Sequence, residues 1–282
     1  MIKMRMQYSK DEEACLLSHH EVQTALLRWL RRSGLPVAYS EGFNQRVRIE
    51  TGIPTGVGME SRAEYVDVIL ERWTPPPERA QAIRATAPPG LTFQAAVDIP
   101  LATPSLMAQP LILRYDFAWS SQDAPSPDAL ERSIAAFLAC PELMVERESG
   151  KARAPKDIRR YVLTAQIATR TPLKATVGVF FDQSGTIRMD EVTGKVFGLA
   201  AGASRPVVTR QSVLINMNGA FVDPMDAAAL GRRRPKARPG QLSPSNEELP
   251  AFCRAGSLRA GFWFGRASRP RPLPLDPSAC AP

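Results

Sequence analysis

Apolar and polar residues alternate from Ile2 to Tyr8, with Ile2, Met4, Met6 and Tyr8 on one face, the period of a half-buried strand. The period then lengthens. Val22, Ala25, Leu26, Trp29 and Leu30 recur at three- and four-residue intervals and predict a helix with that stripe inward. It starts at Ser18, which has capping-box spacing to Glu21, and stops at Gly34. Leu35–Ser40 and Arg46–Ile49 are short strand candidates on either side of a Glu41-Gly42-Phe43-Asn44 turn, where Gly and Asn permit a positive φ. Ala63–Trp73 alternates again, with Val66, Val68 and Leu70 on one face. Pro75–Pro77 ends that strand and opens a helix whose inward positions are Ala80, Ile83 and Ala87; Leu91–Ile99 follows as a strand. The order is β-α-β-β-α-β.

A similar order returns without repetition of sequence. Leu111–Trp119 reads as a strand, and Ser126-Pro127 as the start of a helix with Leu130, Ile134, Phe137 and Leu138 as its apolar stripe. Glu142–Arg147 and Tyr161–Thr169 are strands flanking a basic loop. Leu173–Asp182, a turn at Gln183-Ser184-Gly185, a helix over Met189–Leu199 and a strand over Val207–Met217 complete the series. The expected class is α+β, with tandem ferredoxin-like βαββαβ units over 1–104 and 105–222. Residues 223–282 are predicted to be a disordered basic Pro/Arg-rich tail, since nine prolines and little periodicity follow Gly231.

Charge changes the picture less than its size suggests. The net charge is +8, but ten Lys/Arg and only three Asp/Glu lie between Gly231 and Pro282, which leaves 26 basic and 25 acidic residues before them. The body is nearly neutral, so overall charge is no argument that it binds nucleic acid. No run of eighteen apolar residues and no signal-like opening segment occurs, and a cytoplasmic protein without a membrane partner is expected. Cys15, Cys140, Cys253 and Cys280 lack zinc or iron–sulfur spacing and suggest no disulfide framework. Gly56-Val57-Gly58 lacks both the Lys-Ser/Thr of a phosphate loop and the third glycine of a dinucleotide fingerprint. No metal or cofactor is expected.

One block is more specific. Ser18-His19-His20, then the run Leu30-Arg31-Arg32-Ser33-Gly34-Leu35-Pro36-Val37-Ala38-Tyr39-Ser40-Glu41-Gly42-Phe43-Asn44, then Gly56–Ser61 and Ala63–Val68, resemble the motif stretch of the radical SAM-linked protein family of unknown function. Lys156-Asp157-Ile158-Arg159 resembles a second, weaker segment. The chain departs from the family pattern at His20, Glu21, Gln45, Arg46 and Arg160. The resemblance implies an accessory protein that acts with a radical SAM enzyme supplied by another chain. This sequence has no CxxxCxxC run of its own to hold the cluster.

The candidate site follows from that block. His19, Arg28, Arg31, Arg32, Tyr39, Ser40, Gly42, Phe43, Asn44 and Arg48 are the candidate substrate or RNA contacts, and RNA is the second candidate partner. His19 is read as a helix-terminal hydrogen-bonding residue, a substrate contact or a general base. The three arginines are read as a solvated face or an anion contact. Phe43 is read as a core aromatic or a platform for a base. Adjacent histidines on a helix diverge by about 100° and do not chelate one ion. The leading expectation is a non-catalytic RNA-presenting module. The alternative is a metal-independent endoribonuclease using His19 with Tyr39.

Overall fold

The computed structural model describes residues 1–226 apart from 121, 150, 151, 201, 204, 218 and 219. Its first half contains β1 (Ile2–Lys10), α1 (His19–Arg32), β2 (Ile49–Thr51), β3 (Glu60–Leu70), α2 (Pro76–Ala85) and β4 (Leu91–Ile99). The second contains β5 (Leu111–Ala118), α3 (Pro127–Ala139), β6 (Met144–Ser149), β7 (Ala152–Asp157), β8 (Val162–Arg170), β9 (Leu173–Phe181), α4 (Met189–Glu191), β10 (Val207–Met217) and β11 (Ala220–Val222). Nine strands form one sheet along the path β4-β1-β3-β10-β5-β9-β8, with β2 paired to β3 and β11 to β10. The molecule is a mixed α+β protein dominated by this sheet.

Every pairing in the large sheet is antiparallel except that of β3 with β10, where Thr209 and Arg210 lie parallel to Glu60 and Ser61. β3 is long enough for its outer edge to serve two partners, β2 at Val66–Val68 and β10 at Glu60–Ser61. Counting in the second half only β5, β8, β9 and β10, each half runs, in order across the sheet, fourth strand, first, third, second: β4-β1-β3-β2 and β10-β5-β9-β8.

Helices cover each half through the expected stripes. Met4, Met6 and Tyr8 of β1 and Val66, Val68 and Leu70 of β3 pack against Val22, Leu26, Trp29 and Leu30 of α1 and Ile83 of α2. Leu130, Ile134 and Phe137 of α3 pack on the second half, where Phe117 and Phe197 meet edge to face at 4.9 Å between centroids, a preferred aromatic geometry.

Several expectations need correction. β1 is not half-buried: Lys3, Arg5, Ser9 and Lys10 are buried as well. The 100–110 connection and the segment after β11 reach its other face, where Lys3 Nζ donates to Thr103 O (2.9 Å) and Arg5 Nη1 to Pro224 O (3.2 Å). Leu35–Ser40 is no strand; it makes only single bridges, Val37 to Leu70 and Tyr39 to Val47, and the strand forms later, at Ile49–Thr51. The basic loop is itself a strand, β7, which pairs with β6 in a separate two-stranded sheet. Ala87 lies beyond the end of α2 and is exposed, and the helix expected over Met189–Leu199 is only α4 followed by a π turn at Val192–Val196. Cys15 is a buried free thiol. The predicted tail beyond Asp226 lies outside the described residues.

Candidate functional site

α1 begins with a complete capping box. Ser18 donates from its amide (2.8 Å) and hydroxyl (2.7 Å) to Glu21 Oε2, and its hydroxyl accepts from the Glu21 amide (3.4 Å). These bonds hold the Glu21 carboxyl below the usual range, the Ser18 hydroxyl being the larger cause. They also fix His19 as the first helical residue, exposed and facing a cleft that it shares with Gln23, Thr51, Lys10, Glu64 and Tyr8. His20 is exposed beside it, its ring 5.8 Å away between centroids.

The floor of the cleft is polar and buried. Glu64 accepts from Arg210 Nη2 (2.5 Å) and Thr55 Oγ1 (3.0 Å). Arg210 also donates to Ile53 O (2.7 Å) and lies over Ser61 Oγ (3.4 Å), so both charges are paired and bonded. Lys10 differs. It is 1% exposed, yet its ammonium donates only to Gly56 O at 3.4 Å and has no ion pair among the described residues. Burial lowers its pKa below the usual lysine range, partly opposed by Glu64. Burial and then Glu64 push the Tyr8 hydroxyl well above its ordinary range.

The remaining sequence candidates lie elsewhere. Tyr39, Ser40, Gly42, Phe43, Asn44 and Arg48 share one loop, closed by Ser40 N–H to Arg46 O (2.8 Å), Arg46 N–H to Ser40 Oγ (3.0 Å) and Arg48 N–H to Ala38 O (2.8 Å). Gly42 supplies a φ of +115° at its tip, which explains a glycine there. Phe43 is fully exposed (104%) and Tyr39 40% exposed, so Phe43 is no core residue. Arg28, Arg31 and Arg32 are exposed on α1, and Arg32 Nη2 reaches Thr86 O at 3.2 Å.

His19 and Tyr39 are not brought together. The cleft touches β3 at Glu64 and Tyr65, whereas the loop joins it through Val37 at Leu70, about 17 Å further along the strand. α1 ends at Arg32, just before Val37, so its arginine end and the loop share one end of the sheet and His19 lies at the other.

Sequence reasoning missed Lys10, Glu64 and Arg210. A signal existed for the first two: Lys10 continues the parity of Met4, Met6 and Tyr8, and Glu64 that of Val66, Val68 and Leu70, so both place a charge on a core face. Arg210 carried no such signal, because its partner lies 146 residues away. The weaker segment is architectural: Asp157 Oδ1 accepts from the Leu143 and Arg159 amides (both 3.0 Å), and Arg159 donates to Val162 O and Leu138 O.

Among the described residues, no group of three or more His, Cys, Asp or Glu is placed to hold a metal ion, and no helix is long and apolar enough to cross a membrane. A family model described as "Uncharacterized protein conserved in bacteria (DUF2344)" matches residues 3–189, a span that includes the cleft's lining and the exposed loop. No curated protein matches the sequence.

Proposed function

We propose, for a chain that belongs to the DUF2344 family, that it is a non-catalytic accessory module that presents an RNA to a radical SAM enzyme supplied by another chain. The partnership rests on the motif resemblance between Ser18 and Leu70. The RNA half of the reading is carried by one observation: Phe43 stands wholly in solvent on a loop that also exposes Tyr39, Arg46 and Arg48. An aromatic face stacks on an unpaired base, and nearby guanidinium groups neutralise its phosphates. The fourth-first-third-second strand order of each half supports reading the body as tandem ferredoxin-like units.

Titration of the full chain with single-stranded RNA at several salt concentrations tests the RNA half. Phe43→Ala should weaken binding by about tenfold, since one base stack is worth about 1–3 kcal/mol. The urea midpoint should not move, because the ring touches no core. The tail is common to both proteins, so equal affinities would overturn the loop's role. Anaerobic co-purification of the full chain with radical SAM enzymes from its own cells tests the partnership, and failure to associate with any would refute it.

A further inference from the structure

We propose that the cleft at the amino end of α1 binds one oxyanion group of a small molecule, a carboxylate or a phosphoryl, through Lys10, His19 and the first amides of the helix. A lysine ammonium has three donors, and here the Lys10 side chain, 1% exposed, directs them at one acceptor, Gly56 O, 3.4 Å away. The carboxylate nearest in the cleft does not complete the set, because Glu64 is already engaged by Arg210 and Thr55. Among the described residues Lys10 is therefore a buried cation with donors to spare that lines an opening to solvent, and burial of a charge is tolerated when a counter-charge completes it.

The first turns of α1 border the same cleft through His19, Val22 and Gln23. The Val22 amide bonds Ser18 O and the Glu21 amide bonds Ser18 Oγ, which leaves the amides of His19 and His20 as first-turn donors without intrahelical partners. The positive end of a fourteen-residue helix adds to them. The His19 ring borders the mouth.

Size decides what can enter. The cleft spans about 320 Å³ counted together with open solvent, and has room for only about one water-sized group. One oxygen of such a group fits there with the rest of the ligand outside; a whole nucleotide does not. The site is separate from the Phe43 loop and stands whether or not that loop binds RNA.

The only histidines of the chain are His19 and His20, so imidazole resonances give a local readout that anion binding to the basic tail does not disturb. Titration of the full chain with inorganic phosphate, and separately with acetate, should shift the His19 ring signals along a saturable curve while His20 moves less. Saturation by phosphate alone identifies a phosphoryl ligand, by acetate alone a carboxylate, and either supports the site. Lys10→Met should weaken the binding at least tenfold. Gln23→Glu, at the half-exposed rim, should weaken it too without touching the core. Absence of a saturable shift with both anions, or titrations unchanged in both variants, would overturn the proposal.

Discussion

Arg5 and Asp67 are both almost wholly buried, and two guanidinium nitrogens reach the two carboxylate oxygens at 2.7 and 2.8 Å. Deleting one partner strands the other in a poorly hydrated site. Asp67→Ala should lower the free energy of unfolding in urea by about 3–5 kcal/mol, whereas the double change Arg5→Met with Asp67→Leu should recover most of it. Backbone constraints act at the same scale. Gly90 has φ +71°, and a Cβ there would lie 2.6 Å from Ala14 Cβ and 2.8 Å from Asp11 O. Gly90→Ala should cost about 2 kcal/mol or more in the same assay. Residues such as Arg5 and Asp67 were not legible as a buried pair, because strand alternation says which side a residue faces and nothing about what later covers that side. The apolar stripe of β1 was legible for the complementary reason: its period alone determines it.

α1 shows what an element's own chemistry can settle. Its start, stop and inward stripe follow from Ser18, Glu21, Gly34 and the spacing of Val22, Leu26, Trp29 and Leu30, and all are found in place. Ser18→Ala removes the hydroxyl half of the cap and should cost about 1 kcal/mol in thermal or urea unfolding. The Glu21 carboxyl is held low, so its contribution is present above the ordinary carboxylate range and disappears as pH falls through the lowered value. β4 and β10 are likewise found where their patterns put them, at Leu91–Ile99 and Val207–Met217. Elements went unread where tertiary partners make them. The Val37–Arg48 segment is held by single bridges to β3 and to itself, and β7 exists because β6 pairs with it; neither pairing leaves a local period. The candidate site divided in the same way. His19 and the loop residues were legible as motif positions, but their separation along β3 is a property of register.

At the scale of the molecule, the pairing of β3 with β10 is surrounded by titratable groups. Tyr8, Tyr65 and Tyr115 all have hydroxyls pushed above their ordinary range, in each case chiefly by burial. Above about pH 10 the unfolded chain ionises these phenols while the folded chain keeps them protonated. The unfolded state then binds fewer protons, so stability falls as pH rises, by up to about 1.4 kcal/mol per pH unit for each tyrosine. Lys10 has the opposite sign: its lowered value lets the folded state lose a proton first, so it adds stability between that value and about pH 10.4. Urea midpoints measured from pH 7 to 11.5 should therefore pass from the lysine's gain to a steep alkaline loss. Tyrosinate absorbance near 295 nm should show a late fraction appearing only with unfolding, and a steady midpoint up to pH 11.5 would contradict the buried phenols.

Arg210 also bears on how the chain is made. Synthesis delivers the amino-terminal half first, and Glu64, Ser61 and the Ile53 carbonyl emerge well before the guanidinium that binds them. Until residue 210 leaves the ribosome, a nascent first half must keep the Glu64 carboxylate in water, and the floor of the cleft beside Lys10 stays unfinished. Closing so long a loop is a late event. A stalled chain ending after β4 should consequently be more open to protease around Thr55–Glu64 than the released protein, and ligand capture at the cleft should begin only once translation has passed β10.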